Sequence, residues 1–147
     1  MHPAFMKRQW SKFLENAHVE AQRSLPLSER FFRVWQLLSG FDDRIHQFDK
    51  KIAPFERDEN GDPISYFRIK DYKAILDLVE KMNKYIQVQG QNVNPHNVRS
   101  YANKIIGQLE WYVDFLERER RNKHPKFDVI INDLTHAKDK VYKLLDF

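Results

Sequence analysis

The residues whose spacing could do chemistry in this chain are histidines, carboxylates and arginines, and its 147 residues include no cysteine. That absence removes disulfides, thiolate zinc sites, iron–sulfur clusters and thiol nucleophiles together. Two Asp-x-x-His pairs are the first candidates, Asp43 with His46 and Asp133 with His136. Pairs of carboxylate-x-x-His units facing inward are how helical bundles hold two iron or manganese ions. The apolar period opposes that use here. With Phe41, Ile45 and Phe48 turned inward, Asp43 and His46 fall on the opposite side of their helix. With Ile130, Leu134 and Ala137 inward, Asp133 flanks the core and His136 points away. The alternation Asp58, Asn60, Asp62 opens like a calcium loop, but Pro63 stands where glycine is required and Ile69 where a bidentate Glu belongs. No metal and no cofactor is expected.

His2, His18 and His96 are solitary, and the chain carries neither a glycine-rich phosphate loop nor a nucleophile elbow. The expectation is a protein that is not an enzyme. One enzyme-like pair stands against it. Arg118 and His124 resemble the Arg-x(4–6)-His element of HEPN ribonucleases, although Glu119 follows the arginine and Pro125 follows the histidine. The resemblance implies a helical bundle in which arginine holds a phosphate and histidine moves a proton at a dimer cleft. A HEPN-like ribonuclease is accordingly the third functional reading.

The first reading rests on charge. Lysine and arginine number 25 against 21 carboxylates, a formal +4. Arg118, Arg120, Arg121, Lys123 and Lys126 crowd one stretch, with Arg99 and Lys104 earlier on the same helix. Such a run can track RNA or DNA phosphates independently of sequence. A smaller patch is Lys7, Arg8 and Lys12. The expectation is a small basic subunit of a larger assembly that contacts nucleic acid through this helix end. The second reading rests on aromatics, of which there are 11 Phe, 6 Tyr and 3 Trp. Trp35, Phe67, Trp111 and Phe115 lie off the apolar stripes and suit a protein-binding adaptor or inhibitor.

The elements that would position these groups are helices. Four glycines and no long β-branched runs are poor material for a sheet, and the composition reads all-α. The longest regular stretch places Phe31, Val34, Leu38, Phe41, Ile45, Phe48 and Ile52 at alternating steps of three and four. It predicts one helix over 28–53 with Ser28 as N-cap, and the same seam would serve a homodimer. Before it, Met6, Trp10, Phe13, Leu14, Ala17 and Ala21 stripe a helix over 4–23. From Pro54 to Pro63 the breakers read as a loop, and Asn60-Gly61 allows a short hairpin within 54–66. Further helices are expected over 66–89, ending at Gly90, over 95–121, capped by Asn94 and Pro95, and over 126–146. The whole is expected to be one domain over 1–147, an antiparallel bundle of about five helices with four at its core. With no apolar leader and no run of 18 apolar residues, a cytoplasmic protein without membrane contact is expected.

Overall fold

The computed structural model describes residues 25–51, 57, 59–61 and 65–147. The expected helix over 4–23 and most of the 54–66 loop lie outside them. Among the described residues the protein is a helical bundle without strands, and Arg57 makes an isolated β-bridge. The hairpin expected there is not a ladder in the described part: Arg57 Nη1 donates to Gly61 O at 2.9 Å, and Gly61 takes a positive φ of 80°.

The helices are α1 (Leu27–Ser39), α2 (Asp42–Lys51), α3 (Ile69–Gln89), α4 (Pro95–Glu119) and α5 (Pro125–Leu144), with a 3-10 turn at Gly90–Asn92. α1 packs on α3 and α5, α3 on α4, and α4 on α5, so four helices close a ring around one core. Phe31, Val34, Leu38, Ile75, Val79, Ile105, Leu109, Ile131 and Leu134 fill it, each at most 1% exposed. No described helix is long and apolar enough to cross a membrane.

The single helix expected over 28–53 is corrected to two. Ser39 and Gly40 are weak helix formers, and Asp42 and Asp43 favour a fresh N-terminus through the helix dipole. A tertiary contact completes the break: the buried Tyr72 hydroxyl donates to Leu38 O, which also accepts from Phe41 N at 3.3 Å. The carbonyl at the end of α1 is thereby satisfied without helical continuation. The seam survives the break, with Phe31, Val34, Leu38, Ile45 and Phe48 buried and Phe41 partly so. It is consumed by the chain's own core, which removes the homodimer coiled coil as a use for it. Ser28 is not the cap either: Pro26 precedes the first turn, and its carbonyl accepts from Glu29 N and Arg30 N at 3.0 Å.

At the other boundaries local chemistry decides. Gly90 ends α3 with φ 54°. Asn94 Oδ1 accepts from His96 N at 2.9 Å, and Pro95 opens α4. The start expected at 66 moves to Ile69, because Tyr66 and Phe67 turn inward ahead of the helix.

Arg30 closes the ring. It is 6% exposed, donates from Nε to Leu144 O and from Nη2 to Asp146 O, both at 2.7 Å, and lies 4.2 Å over the Phe147 ring. Phe147 in turn stacks on Phe31 at 5.9 Å. A buried guanidinium thus takes the carbonyls that the end of α5 leaves over.

Candidate interaction surfaces

The turn before α3 is held from three sides. Asp49 on α2 accepts from Ser65 Oγ at 2.5 Å and from Phe67 N at 3.3 Å. Tyr112 on α4 donates its hydroxyl to Phe67 O at 2.5 Å, and Arg120 Nε donates to Tyr66 O at 3.1 Å. Ser65 Oγ also accepts from Ile69 N at 3.1 Å, which makes it the side chain that caps α3. Burial pushes the Asp49 carboxyl above its ordinary value, against the pull of the Ser65 hydroxyl and the Phe67 and Tyr66 amides. Burial likewise pushes the Tyr72 and Tyr112 phenols up, so both stay donors. Beneath the turn Phe48 meets Tyr66, Phe67 and Phe127 edge-on at 5.2–5.9 Å, and Phe67 lies 4.4 Å from Phe127.

Held this way, the turn puts Arg68 into the left-handed region, φ 46° and ψ 62°. Its guanidinium lies 5.2 Å from the Trp111 ring and 5.0 Å from that of Phe115, while Nε pairs with Asp71 at 2.6 Å. Arg120 lies 5.3 Å from Phe115 and 5.3 Å from Tyr66. Trp111 and Phe115, one turn apart on α4, stack at 5.9 Å. The result is a ladder in the order Trp111, Arg68, Phe115, Arg120, Tyr66, alternating rings and guanidinium groups. Trp111, its outermost ring, is 47% exposed. Beside it Gly107, Glu110, Asp114, Lys138 and Tyr142 line an open cleft towards α5.

No known protein family, no curated protein and no solved structure matches this chain. Its surfaces have to be judged by their own geometry.

Of the expected partner-binding aromatics, Trp111 and Phe115 come together in the ladder. Trp35 is on α1, half-buried against the core beside the exposed Phe32, its ring stacked on that of Phe32 at 6.3 Å. Phe67 is corrected: it is 0% exposed and belongs to the core. An apolar residue between helices has no helical phase to announce its direction, and here the turn carries it inward.

The seven expected phosphate contacts do not form one patch. Arg99 and Lys104 sit in the N-terminal half of α4, and Arg99 is about 28 Å along the helix from Arg118 at 1.5 Å per residue. In the other group Arg118 pairs with Asp114 at 3.0 Å. Arg121 embraces Glu117 through both nitrogens and reaches Asn132 Oδ1 at 2.8 Å. That hydrogen-bonded pair holds the Glu117 carboxyl below its ordinary value and raises the arginine. Arg120 is committed to the ladder. Lys123 and Lys126 remain exposed, without an ion pair among the described residues. Four carboxylates, Asp114, Glu117, Glu119 and Asp128, are interspersed with the five cations of this stretch in sequence.

His124 caps α5, its Nδ1 accepting from Lys126 N at 3.1 Å with the ring edge-on to Phe48 at 5.7 Å. Its HEPN-like partner Arg118 is the one paired with Asp114. Of the Asp-x-x-His residues, Asp133 pairs with Arg44 at 3.0 Å, tying α2 to α5, His46 Nδ1 lies 2.8 Å from Asp42 O, and Asp43 and His136 are exposed. Among the described residues no group of three potential ligands could hold a metal.

Arg68 and Arg30 escaped the sequence, while Tyr66, an off-stripe aromatic expected to be partly exposed, is buried at 9% exposure. Nothing local marks Arg30, whose acceptors are more than a hundred residues away. The pairing of Arg118 and Arg121 was available, since Asp114 and Glu117 precede them by four, the helical salt-bridge spacing.

Proposed function

We propose that this chain is a non-enzymatic helical subunit of a larger cytoplasmic assembly, docking onto a protein partner through the face centred on Trp111. The observation that carries this is the ladder: an exposed tryptophan stacked with a guanidinium that its own backbone turn holds in place. Tryptophan, tyrosine and arginine are the residues that dominate protein interfaces, and side chains ordered in advance lose little freedom on binding. Charge separates a protein from a nucleic acid here. Around Trp111 the carboxylates Asp71, Asp114 and Glu110 are balanced by Arg68, Arg118 and Lys138, the first two pairs in contact, and a charge-balanced rim suits a mixed protein surface better than a polyanion. Phosphate contact by residues 118–126 has weaker support, because Arg118 and Arg121 already hold carboxylates.

The test is a photo-crosslinking residue at Gln108, one turn from Trp111 on α4, in the full chain in cell lysate. A discrete protein adduct should form that survives nuclease and about 0.5 M salt, because the contact is largely apolar. It should disappear with Trp111→Ala. The absence of any nuclease-resistant protein adduct, or an adduct indifferent to Trp111→Ala, would overturn the proposal.

A further inference from the structure

Between Glu80 and Glu110 the chain carries no carboxylate, the longest such gap it has. The gap covers the C-terminal half of α3, the Gly90–Asn92 turn and the N-terminal half of α4, which together form one end of the α3–α4 hairpin. Four cations stand on it, Lys81, Lys84, Arg99 and Lys104, all exposed. Among the described residues none of the four is in an ion pair. Residues 118–126 differ: cations are denser there, but Arg118 and Arg121 are held by carboxylates and Arg120 by the ladder.

The fold gathers these charges. Tyr85 on α3 stacks on Tyr101 on α4 at 6.2 Å, locking the two helices side by side. Lys81 is one turn before Tyr85, and Lys104 one turn after Tyr101, its Nζ 5.9 Å from that ring. The two lysines therefore flank the stacked tyrosines on one side of the hairpin. Next to them His96, Arg99, Ser100 and Asn103 line a cleft with Lys104. On the α5 side the surface is bounded by Lys143 and Asp146, which share a cleft with Asn103.

We infer that this end of the α3–α4 hairpin is a binding surface for duplex DNA, contacting its phosphates through Lys81, Lys84, Arg99 and Lys104. Cations without an ion pair, on helix halves that hold no carboxylate from 81 to 109, complement a polyanion, with Asp77 and Glu80 one turn before Lys81 and Lys84, and Asp146 beside Asn103, marking the edges of the surface. Duplex is favoured over single strand because the rings lying among the four cations are not open to an unpaired base. Tyr85 and Tyr101 are partly buried against each other, and the Tyr85 hydroxyl is held by Asn94 N and Asn97 Nδ2. DNA is favoured over RNA because the polar side chains of the cleft sit on an exposed helix. The B-form major groove admits a helix, and the deep, narrow RNA groove does not. Lys104 lies two turns from Trp111 on the same helix, but the inference does not rest on the Trp111 reading, because Trp111→Ala leaves all four cations in place and the Gln changes leave Trp111 in place.

The test is fluorescence anisotropy of the full chain with a labelled DNA duplex of about two helical turns, across a salt series. Four phosphate contacts give a log–log salt slope of roughly −3.6, or about 150-fold weaker binding from 50 to 200 mM salt. The combined change Lys81→Gln, Lys84→Gln, Arg99→Gln and Lys104→Gln should flatten that slope and weaken binding at low salt by about 100-fold. Lysine-to-arginine changes at 81, 84 and 104 should retain it, and Arg118→Gln with Lys123→Gln and Lys126→Gln should leave it unchanged. All four residues are exposed and unpaired, so helical content by circular dichroism should stay constant. The inference is overturned by absent binding at 50 mM salt, by a slope indifferent to the four changes, by equal affinity for duplex RNA, or by polyglutamate competing as well as DNA per charge.

Discussion

Replacing Arg68 by alanine and, separately, by glycine should move stability in different directions from docking. A left-handed residue with a Cβ costs about 1–2 kcal/mol, and Arg68 sits there at φ 46°. Two exposed ring contacts, at 5.0 and 5.2 Å, return about 0.5–1 kcal/mol each, and the Asp71 pair a few tenths. Arg68→Ala discards those contacts and keeps the strain, so it should lose about 1–2 kcal/mol. Arg68→Gly discards the same contacts and relieves the strain, at an unfolded-state cost of about 0.4–1 kcal/mol. Glycine should therefore exceed alanine by roughly 0.5–1 kcal/mol, which is about 1–4 °C in Tm for a chain of this size. Urea unfolding of both variants measures the difference, and the Gln108 crosslink should fall equally in both. An alanine variant as stable as the glycine variant would refute the strain. Unequal loss of crosslinking would refute the separation of strain from docking.

Two further outcomes are expected. Arg30→Met removes two hydrogen bonds to carbonyls and a ring contact from a side chain 6% exposed, and should cost roughly 3 kcal/mol, about 6–12 °C in Tm by thermal unfolding; a fall of under about 2 °C would deny the clamp. Because burial raises the Asp49 carboxyl above 3.8, the folded chain holds that proton more firmly than the unfolded chain. The stability this group contributes is full below about pH 3.8 and is lost as pH rises through the raised folded value. Asp49→Asn should therefore gain on the wild type between about pH 3 and 7 in urea midpoints. A difference that stays constant or shrinks would count against the burial.

Helical period carried the reading of the core: Phe31, Val34, Leu38, Ile45 and Phe48 are buried in the phase their spacing demands. Two boundaries were equally legible, since Asn94-Pro95 and Gly90 act through neighbours within a few residues, whereas the Ser28 cap was not, the helix starting from Pro26. The break after Ser39 depended on the Tyr72 hydroxyl, brought in from another helix, which no local pattern records. The site divides along the same line. Trp111 and Phe115 were visible as off-stripe aromatics, but their partner Arg68 arrives through a turn held by Asp49, Tyr112 and Arg120. The unmatched end at Lys81–Lys104 was present in the sequence as missing carboxylates, a signal that searching for runs of cations passes over.

The Arg30 clamp also bears on the order in which the protein is made. Arg30 and Leu144 are 114 residues apart, an interval of roughly 6 to 23 s of synthesis at about 5–20 residues per second. Throughout it α3 and α4 can pair as a local hairpin, whereas the α1–α5 wall has no second half. The nascent chain therefore carries the apolar face of Phe31, Val34 and Leu38 without its partners in α5. Ring closure is the late, non-local event of folding, and a slowly translated or stalled message would prolong the period in which that face is open to the wrong companion.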